Sequence, residues 1–96
     1  MDDAADFGGV SDNAERRRFE LIEGGLTAFA DYRRNGEVVA IPHVEAPVAL
    51  RGTGAAGRLM AGALDRIRAQ GLKVLPTCPY AAAYIRRHPQ YADLLA

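Results

Sequence analysis

The sequence predicts a single mixed α/β (α+β) domain, in which an antiparallel meander of strands is joined by a helical crossover to a parallel strand. Two patterns support this class. Residues 16–44 contain two glycine turn signals and an alternation with a period of two over residues 26–33. Residues 54–70 instead repeat apolar side chains at helical spacing. The chain has 96 residues, which is the size of one domain.

The N-terminal residues differ from the rest in composition. Residues 1–12 contain four aspartates and two adjacent glycines, with little periodic pattern. Such a segment buries too little apolar surface to offset the entropy lost on ordering. We therefore expect a flexible acidic tail over residues 1–12 and one folded domain over residues 13–96.

The first two predicted strands are joined by a tight turn. Phe19 to Ile22 forms the first strand, and Gly24-Gly25 is a two-residue turn signal. Residues 26–33 then place alternate side chains on opposite faces, as expected of a second strand.

A second hairpin leads into the third strand. Asn35-Gly36 predicts a type I′ turn, because both residues tolerate the positive φ that its two central positions require. The third strand is predicted over Val38 to Ile41. Pro42 cannot donate a ladder hydrogen bond, so the strand must end, bulge or lie open there.

A helical crossover and a short C-terminal helix complete the fold. The apolar face over residues 54–70 predicts a helix, and Gly71 is a suitable C′ residue. The sequence LKVL, residues 72–75, follows as a buried strand, which makes a right-handed crossover unit. Residues 80–87 are predicted as a short helix that ends at His88-Pro89.

Composition and charge exclude several classes of protein. Lysine plus arginine and aspartate plus glutamate are 12 each, so net charge gives no indication of nucleic-acid binding. No apolar run approaches the ~20 residues of a membrane span, and the acidic N-terminus does not resemble a signal peptide. A single cysteine suits a reducing, cytoplasmic location. Two histidines and one cysteine, widely separated, predict no metal site.

The motif LRGTGAAGRLM, residues 50–60, lies between a predicted strand and a predicted helix. A helix N-terminus presents free amides and partial positive charge, and glycines allow an anion to approach the backbone. The alternative is that the glycines serve only a tight turn and close helix packing. The motif is not a Walker loop, because no Lys-Ser or Lys-Thr follows, and its glycine spacing is not that of a Rossmann loop.

The glycine motif also fits a known family. RGTGAA, from Arg51 to Ala56, matches the Arg/Gln-x-x-Gly-x-Gly/Ala loop of the GNAT superfamily of N-acetyltransferases. With RFEL, HVEAP, GLKVLPTCPYAAAYI and HPQYADLL, residues 10–95 resemble the small GNAT-like proteins of bacteria, plants and animals. The family more often has threonine at the position of Val44 and a bulkier residue or lysine near Thr53. Neither departure removes a backbone donor.

The resemblance implies a minimal GNAT fold without the N-terminal helices of full-size enzymes, and acetyl-CoA (coenzyme A) as cosubstrate. The loop amides would hold the pyrophosphate, and the pantetheine arm would follow the preceding strand where it splays from the strand at residues 73–76. The residues expected to bind the coenzyme are Val44, Val48, Arg51, Gly52, Thr53, Gly54, Ala55 and Ala56.

Cys78 is the first candidate for chemistry. Pro79 fits the first helical position, which places Cys78 at the N-cap, where the helix dipole favours a thiolate. Its possible roles are an acyl-accepting nucleophile, a proton donor to the departing coenzyme thiolate, or a wall of the acyl pocket. The alternative is a small buried apolar residue.

His43 and Glu45 are the acid–base candidates, since residues two apart on a strand face the same side. An attacking amine must be neutral, so a base or a water relay must take its proton. A surface ion pair is the alternative. In the superfamily a tyrosine on the last helix often protonates the leaving thiolate, which implies Tyr84, with core packing as the alternative. Arg16–Arg18 is predicted to be a solvated strand edge that could also meet an acidic substrate.

Three functions are compatible with these patterns. The first is an N-acetyltransferase that transfers acetyl from acetyl-CoA to an unidentified amine by direct attack in a ternary complex. The second is a non-catalytic acyl-CoA binding or sensing module, and the third is a small adaptor with structural glycines. We expect a monomer or weak homodimer, with no nucleic-acid or membrane partner.

Overall fold

One layer of the molecule is a five-stranded sheet, and the other is a pair of helices on one face of that sheet. The structure is a computed structural model, and it describes residues 7–96. Its elements are β1 (Ser11–Asn13), β2 (Arg18–Glu23), β3 (Leu26–Asn35), β4 (Val38–Glu45), α1 (Ala55–Ala69), β5 (Lys73–Leu75) and α2 (Pro79–Arg87). Short 3-10 turns occupy Val48–Leu50 and Pro89–Leu94.

The strand order confirms the predicted class of fold. The strands lie in the order β1-β2-β3-β4-β5. The first four pair antiparallel, whereas β5 pairs parallel with β4 after the crossover through α1. The helices start and end within a residue of the predicted limits, because the apolar period of α1 and Pro79 at the start of α2 both mark real boundaries.

The folded part of the chain begins before residue 13, the start that was expected for the domain. Val10 is fully buried, and Ser11 pairs with Glu20 at the start of β1. This strand was not predicted, because Ser-Asp-Asn has no apolar alternation. Residues 1–6 of the expected tail lie outside the described residues.

The two hairpins occur where predicted, but the type I′ assignment to Asn35-Gly36 is wrong. Asn35 pairs with Val38, so the loop residues are Gly36 and Glu37, and only Gly36 has positive φ. The two positive φ values that a type I′ turn requires occur at Gly24-Gly25 instead, at 58° and 75°.

A β-bulge interrupts β4 at Pro42. Asp31 pairs with His43 and Arg33 with Ala40, so two steps along β3 face three along β4. The extra residue lies at Ile41-Pro42, where the missing N–H of proline costs no ladder bond. The bulge shifts the alternation of β4 by one residue, so that Val44 packs against the core while His43 lies on the other face.

The two faces of the sheet have different chemistry. The covered face contributes Phe19, Leu21, Ala28 and Ala30 to a core with both helices. The other face carries Arg18, Asp31 and His43 as one cross-strand row, and Glu20, Phe29 and Glu45 as the next. No helix within residues 7–96 covers these six residues, and we call this surface the open face.

α1 packs on the sheet and also against the N-terminal segment. Leu59, Met60 and Leu64 are fully buried on its core side. Gly62 faces the segment so closely that a methyl group there would overlap the Val10 side chain and the Phe7 carbonyl oxygen. Glycine in the middle of this helix therefore has a packing reason.

The C-terminal residues return to the sheet. After the Pro89–Leu94 turn, Leu95 forms a parallel bridge with Val74, and the Ala96 amide donates to the Val74 carbonyl at 2.9 Å. The outer edge of β5 is therefore partly paired. No helix in the part of the chain that the structure describes is long and apolar enough to cross a membrane.

Candidate active site

The glycine loop connects β4 to α1 by way of the Val48–Leu50 turn. Gly52 and Gly54 have φ of 81° and 86°, in the region that favours glycine, and Gly54 is the N-cap of α1. Both glycines are exposed. The loop thus turns tightly into the helix while its backbone stays accessible.

The loop amides divide into two groups. The Thr53 amide donates to the Leu50 carbonyl, and the Thr53 hydroxyl accepts from the Ala55 amide at 3.3 Å. Four other amides of the loop and the first helical turn have no hydrogen-bond acceptor within residues 7–96. They belong to Gly52, Gly54, Ala56 and Gly57. Thr53 and Ala55, two of the predicted binding residues, are therefore occupied in shaping the loop.

Arg58 holds the loop against the sheet. Its Nη1 atom donates to the Thr53 carbonyl at 2.9 Å, and its other nitrogens form a bidentate pair with Glu23 at 2.9 and 2.7 Å. The hydrogen bond lowers the pKa of Glu23 and raises that of Arg58. A guanidinium therefore lies beside the free amides. Arg51 is exposed, with its Nε atom 3.4 Å from the Ala46 carbonyl oxygen.

A groove of about 500 Å³ runs between the start of α1 and the outer face of α2. One wall is made of small residues at helical spacing, namely Gly54, Gly57 and Ala61. The other wall carries Tyr80 and Tyr84, one turn apart. The remaining lining residues are Arg58, Ala83, Arg87 and His88.

The aromatic wall is partly ordered by stacking. The Tyr84 ring lies on the His88 ring at a centroid distance of 3.9 Å, and His88 Nδ1 is 2.8 Å from the Tyr84 carbonyl oxygen. Burial raises the pKa of both Tyr80 and Tyr84, so both phenols are protonated at neutral pH. The groove therefore offers flat apolar surfaces, hydroxyl donors and arginines at its rim.

The backbone of β4, the strand that leads to the glycine loop, has an open edge near its C-terminal end. The Tyr32 amide donates to the Arg17 carbonyl, so even-numbered residues of β3 bond to β2 and odd-numbered ones bond to β4. Val44 lies opposite Ala30, so its peptide groups point away from β3, towards the β5 side. β5 has ended there, and the last contact is the Cys78 amide with the Ile41 carbonyl at 2.9 Å.

Cys78 and Tyr84 are not brought together. Cys78 is the N-cap of α2, as predicted, and is buried in the core with Ala81 and Ile85. Tyr84 is six residues further on, which at about 100° per residue places it on the groove side of α2. Val48 is 75% exposed in its 3-10 turn.

His43 and Glu45 lie together on the open face, as their spacing predicts. His43 Nε2 is 2.9 Å from Glu45 Oε1, and both side chains are about half exposed. Asp31 is directly across the ladder from His43, and the Phe29 ring centroid is 6.0 Å from that of His43. No three His, Cys, Asp or Glu side chains among residues 7–96 are grouped as a metal site would require.

Residues 18–94 match the family model described as GCN5-related N-acetyl-transferase. The chain belongs to this family. It is 38% identical to human Protein NATD1 over 91 residues, covering 90% of this chain and 80% of that protein. It is 34% identical to the mouse protein of the same name, covering 90% and 83%.

The fold of this GCN5-related family member is also found among solved structures. The NMR structure of a GCN5-like protein from Staphylococcus aureus superposes with a TM-score of 0.65, covering 91% of this chain and 86% of that one. The two share 18% sequence identity, so the likeness is one of fold.

Of the residues that line the groove, the sequence predicted only Gly54 and Tyr84 as site residues. Gly57, Arg58, Tyr80 and Arg87 were not singled out, although Tyr80, Tyr84 and Arg87 follow the i, i+4, i+7 spacing of one helix face. That spacing was a usable signal, but only the packing of α1 against α2 shows that this face borders the loop.

Proposed function

We propose that this protein is an N-acetyltransferase that binds acetyl-CoA at the glycine loop and transfers acetyl directly to an amine. The observation that carries this proposal is the set of free amides at the start of α1, which opens onto both the groove and the bare edge of β4. An anion-binding helix terminus beside an unpaired strand edge suits a ligand with a pyrophosphate followed by an amide-bearing arm.

Each part of the coenzyme has matching protein groups. The amides of Gly52, Gly54, Ala56 and Gly57, with Arg58 beside them, would hold the pyrophosphate. The peptide groups of Val44 would bond the pantetheine amides, as an added strand does. Tyr80 and Tyr84 would contact the nucleotide in the groove. Thr53 and Ala55 would contribute by shaping the loop.

The open edge of β4 indicates where the acetyl group of the coenzyme would lie. An arm that starts at the loop and follows β4 backwards reaches Ile41, where the Cys78 amide closes the gap. Cys78 would therefore lie near the thioester, while Tyr84 would remain on the nucleotide side. This arrangement favours Cys78 over Tyr84 as the group beside the departing sulfur.

The His43–Glu45 pair supplies the base. The attacking amine loses a proton to His43 Nδ1. His43 Nε2 donates its own hydrogen to Glu45 Oε1, 2.9 Å away, and the carboxylate stabilises the imidazolium that forms. The nitrogen forms a bond to the thioester carbonyl carbon, the carbon–sulfur bond breaks, and the thiolate takes a proton from Cys78 or water. No acyl-enzyme is needed, because nothing beside Cys78 within residues 7–96 is arranged to activate it as a nucleophile.

A matched pair of glycine variants tests the binding step. Gly52 and Gly36 both have positive φ, and at each the position that a Cβ would take is open space, so aspartate strains the backbone similarly at both. Calorimetry with acetyl-CoA should show binding by the wild type and by Gly36→Asp, and none by Gly52→Asp. Equal affinity in the two variants would exclude the loop.

Turnover separates the enzyme from a binding module. Release of free coenzyme thiol from acetyl-CoA in the presence of an amine panel supports the transferase. Tight coenzyme binding without thiol release from any amine would instead support an acyl-CoA binding or sensing module.

A further inference from the structure

We propose that the amine acceptor is a small molecule that also carries an anionic group, a carboxylate or phosphate, held by arginines beside His43. This inference rests on the proposed function, because it names the substrate class of the same site. It is carried by a second cavity, on the sheet face opposite the coenzyme groove.

The cavity has a volume of about 370 Å³ and joins the arginines to the base. Its lining includes Arg16, Arg17, Arg33, Asp31, Pro42 and His43. Pro42 marks the bulge of β4, so the cavity lies where the strand edge approaches the expected thioester position. A volume of this order accommodates a small ligand.

The three arginines that line the cavity form no ion pair with a carboxylate of residues 7–96. The ion pairs found across residues 7–96 involve Arg18, Arg58 and Arg68, besides His43. Arg16, Arg17 and Arg33 belong to none of them. A bidentate guanidinium is well suited to carboxylate and phosphate, and three near one cavity favour an anion there.

The turn that presents two of these arginines is held in place. Arg17 has a φ of 55°, which is uncommon for a residue other than glycine. Its amide bonds the Ala14 carbonyl, its carbonyl accepts from the Tyr32 amide at 2.9 Å, and the Arg16 amide bonds Asn13 Oδ1. These bonds hold the turn against β3, so the side chains of Arg16 and Arg17 extend from a backbone whose position is fixed.

The lining of the cavity also includes one carboxylate, that of Asp31, and Glu45 lies beyond His43. Asp31 lies across the ladder from His43, which is bonded to Glu45. An ammonium group is attracted to these carboxylates, whereas an anion is attracted to the arginines. Such a surrounding matches a short amine that carries both charges, and the Asp31 carboxylate in the lining disfavours a polyanion such as nucleic acid.

Matched amines test the preference. β-Alanine and β-alanine amide differ by one negative charge, whereas O-phosphoethanolamine and ethanolamine differ by nearly two at neutral pH. We expect kcat/KM at least about tenfold higher for the anionic member of each pair, with the difference in KM. Arg33→Gln should remove most of that preference. Arg86→Gln, an exposed arginine on α2 outside this cavity, should retain it.

A binding measurement separates this inference from the proposed function. Backbone NMR signals of Arg16, Arg17, Asp31, Arg33 and His43 are followed while β-alanine or its amide is added, with and without coenzyme A. Selective shifts with β-alanine, reduced in Arg33→Gln, support the inference. If they occur in a protein that does not bind acetyl-CoA, the proposed function fails and the anion site stands.

Three results would overturn the inference while leaving acetyl-CoA binding intact. The first is the absence of such shifts in both states. The second is equal turnover of the two members of each pair. The third is stronger turnover of an acidic peptide, or salt-dependent binding of single-stranded DNA, because either would show that the arginines serve a macromolecule.

Discussion

Gly62→Ala tests the contact between α1 and the N-terminal segment. Alanine is a better helix former than glycine by about 1 kcal/mol, so an isolated helix would gain stability. Here the added methyl group would overlap Val10 and the Phe7 carbonyl. Val10 is 0% exposed and its carbonyl accepts from Arg66 Nε at 2.8 Å, so the segment cannot move without losing both contacts.

The expected net effect is a loss of about 2 kcal/mol. Exposing a buried valine costs roughly 1.5–3 kcal/mol and losing the Arg66 bond about 1 kcal/mol, against the helix gain of about 1 kcal/mol. In a domain of this size the melting temperature should fall by about 10 °C. Urea and thermal unfolding followed by circular dichroism measure both quantities.

Gly57→Ala is the matched control in the same helix. Its Cβ would meet the Tyr84 ring at 3.7 Å, an ordinary contact, so the variant should be as stable as the wild type or more stable by up to about 1 kcal/mol. A Gly62→Ala protein as stable as the wild type would refute the packing argument. Equal losses of stability in both variants would show that α1 does not accept alanine at either glycine, whatever that glycine contacts.

Two further predictions concern single side chains. Cys78→Ser should retain acetyl-CoA affinity and reduce turnover without abolishing it, and incubating the wild type with acetyl-CoA alone should leave its mass unchanged; an acetylated Cys78 able to acetylate an added amine would contradict direct transfer. Glu23→Gln should reduce stability at neutral pH. Because Arg58 lowers the pKa of Glu23 in the folded state, its stabilisation is complete above the ordinary glutamate pKa and is lost as pH falls through the lowered one. Unfolding measured from pH 7 to pH 3 should therefore show a flatter acid decline in Glu23→Gln than in the wild type or in Glu15→Gln, and parallel curves would contradict this.

The sequence predicted the elements that depend on residues close together along the chain. The period of α1 and the glycine pair between β2 and β3 were sufficient, because a helix face and a two-residue turn depend on neighbours in sequence. β1 was missed because Ser11–Asn13 is a strand only through its pairing with β2. The C-terminal bridge of Leu95 to Val74 was missed for the same reason, since backbone pairing leaves no mark in side-chain alternation.

The candidate site was predictable to the extent that it lies within one segment. The loop, and the shared side of His43 and Glu45, follow from spacing along the chain. His43 and Glu45 share a side, as their spacing predicts, because the bulge at Pro42 precedes both residues and does not fall between them. The coenzyme groove joins two helices, and the arginine cavity joins a turn to two strands. Neither could be assembled before the packing was known.

The bulge at Pro42 connects the two proposed binding surfaces. One extra residue in β4 packs the Val44 side chain against the core and leaves its peptide groups at the bare edge. The same shift places His43 and Glu45 on the open face. In the proposed reaction the coenzyme therefore approaches along the edge and the acceptor from the open face, and they meet where Ile41 contacts Cys78. A strand without the bulge would reverse these orientations: His43 would point towards the core, and the base would be separated from the arginines.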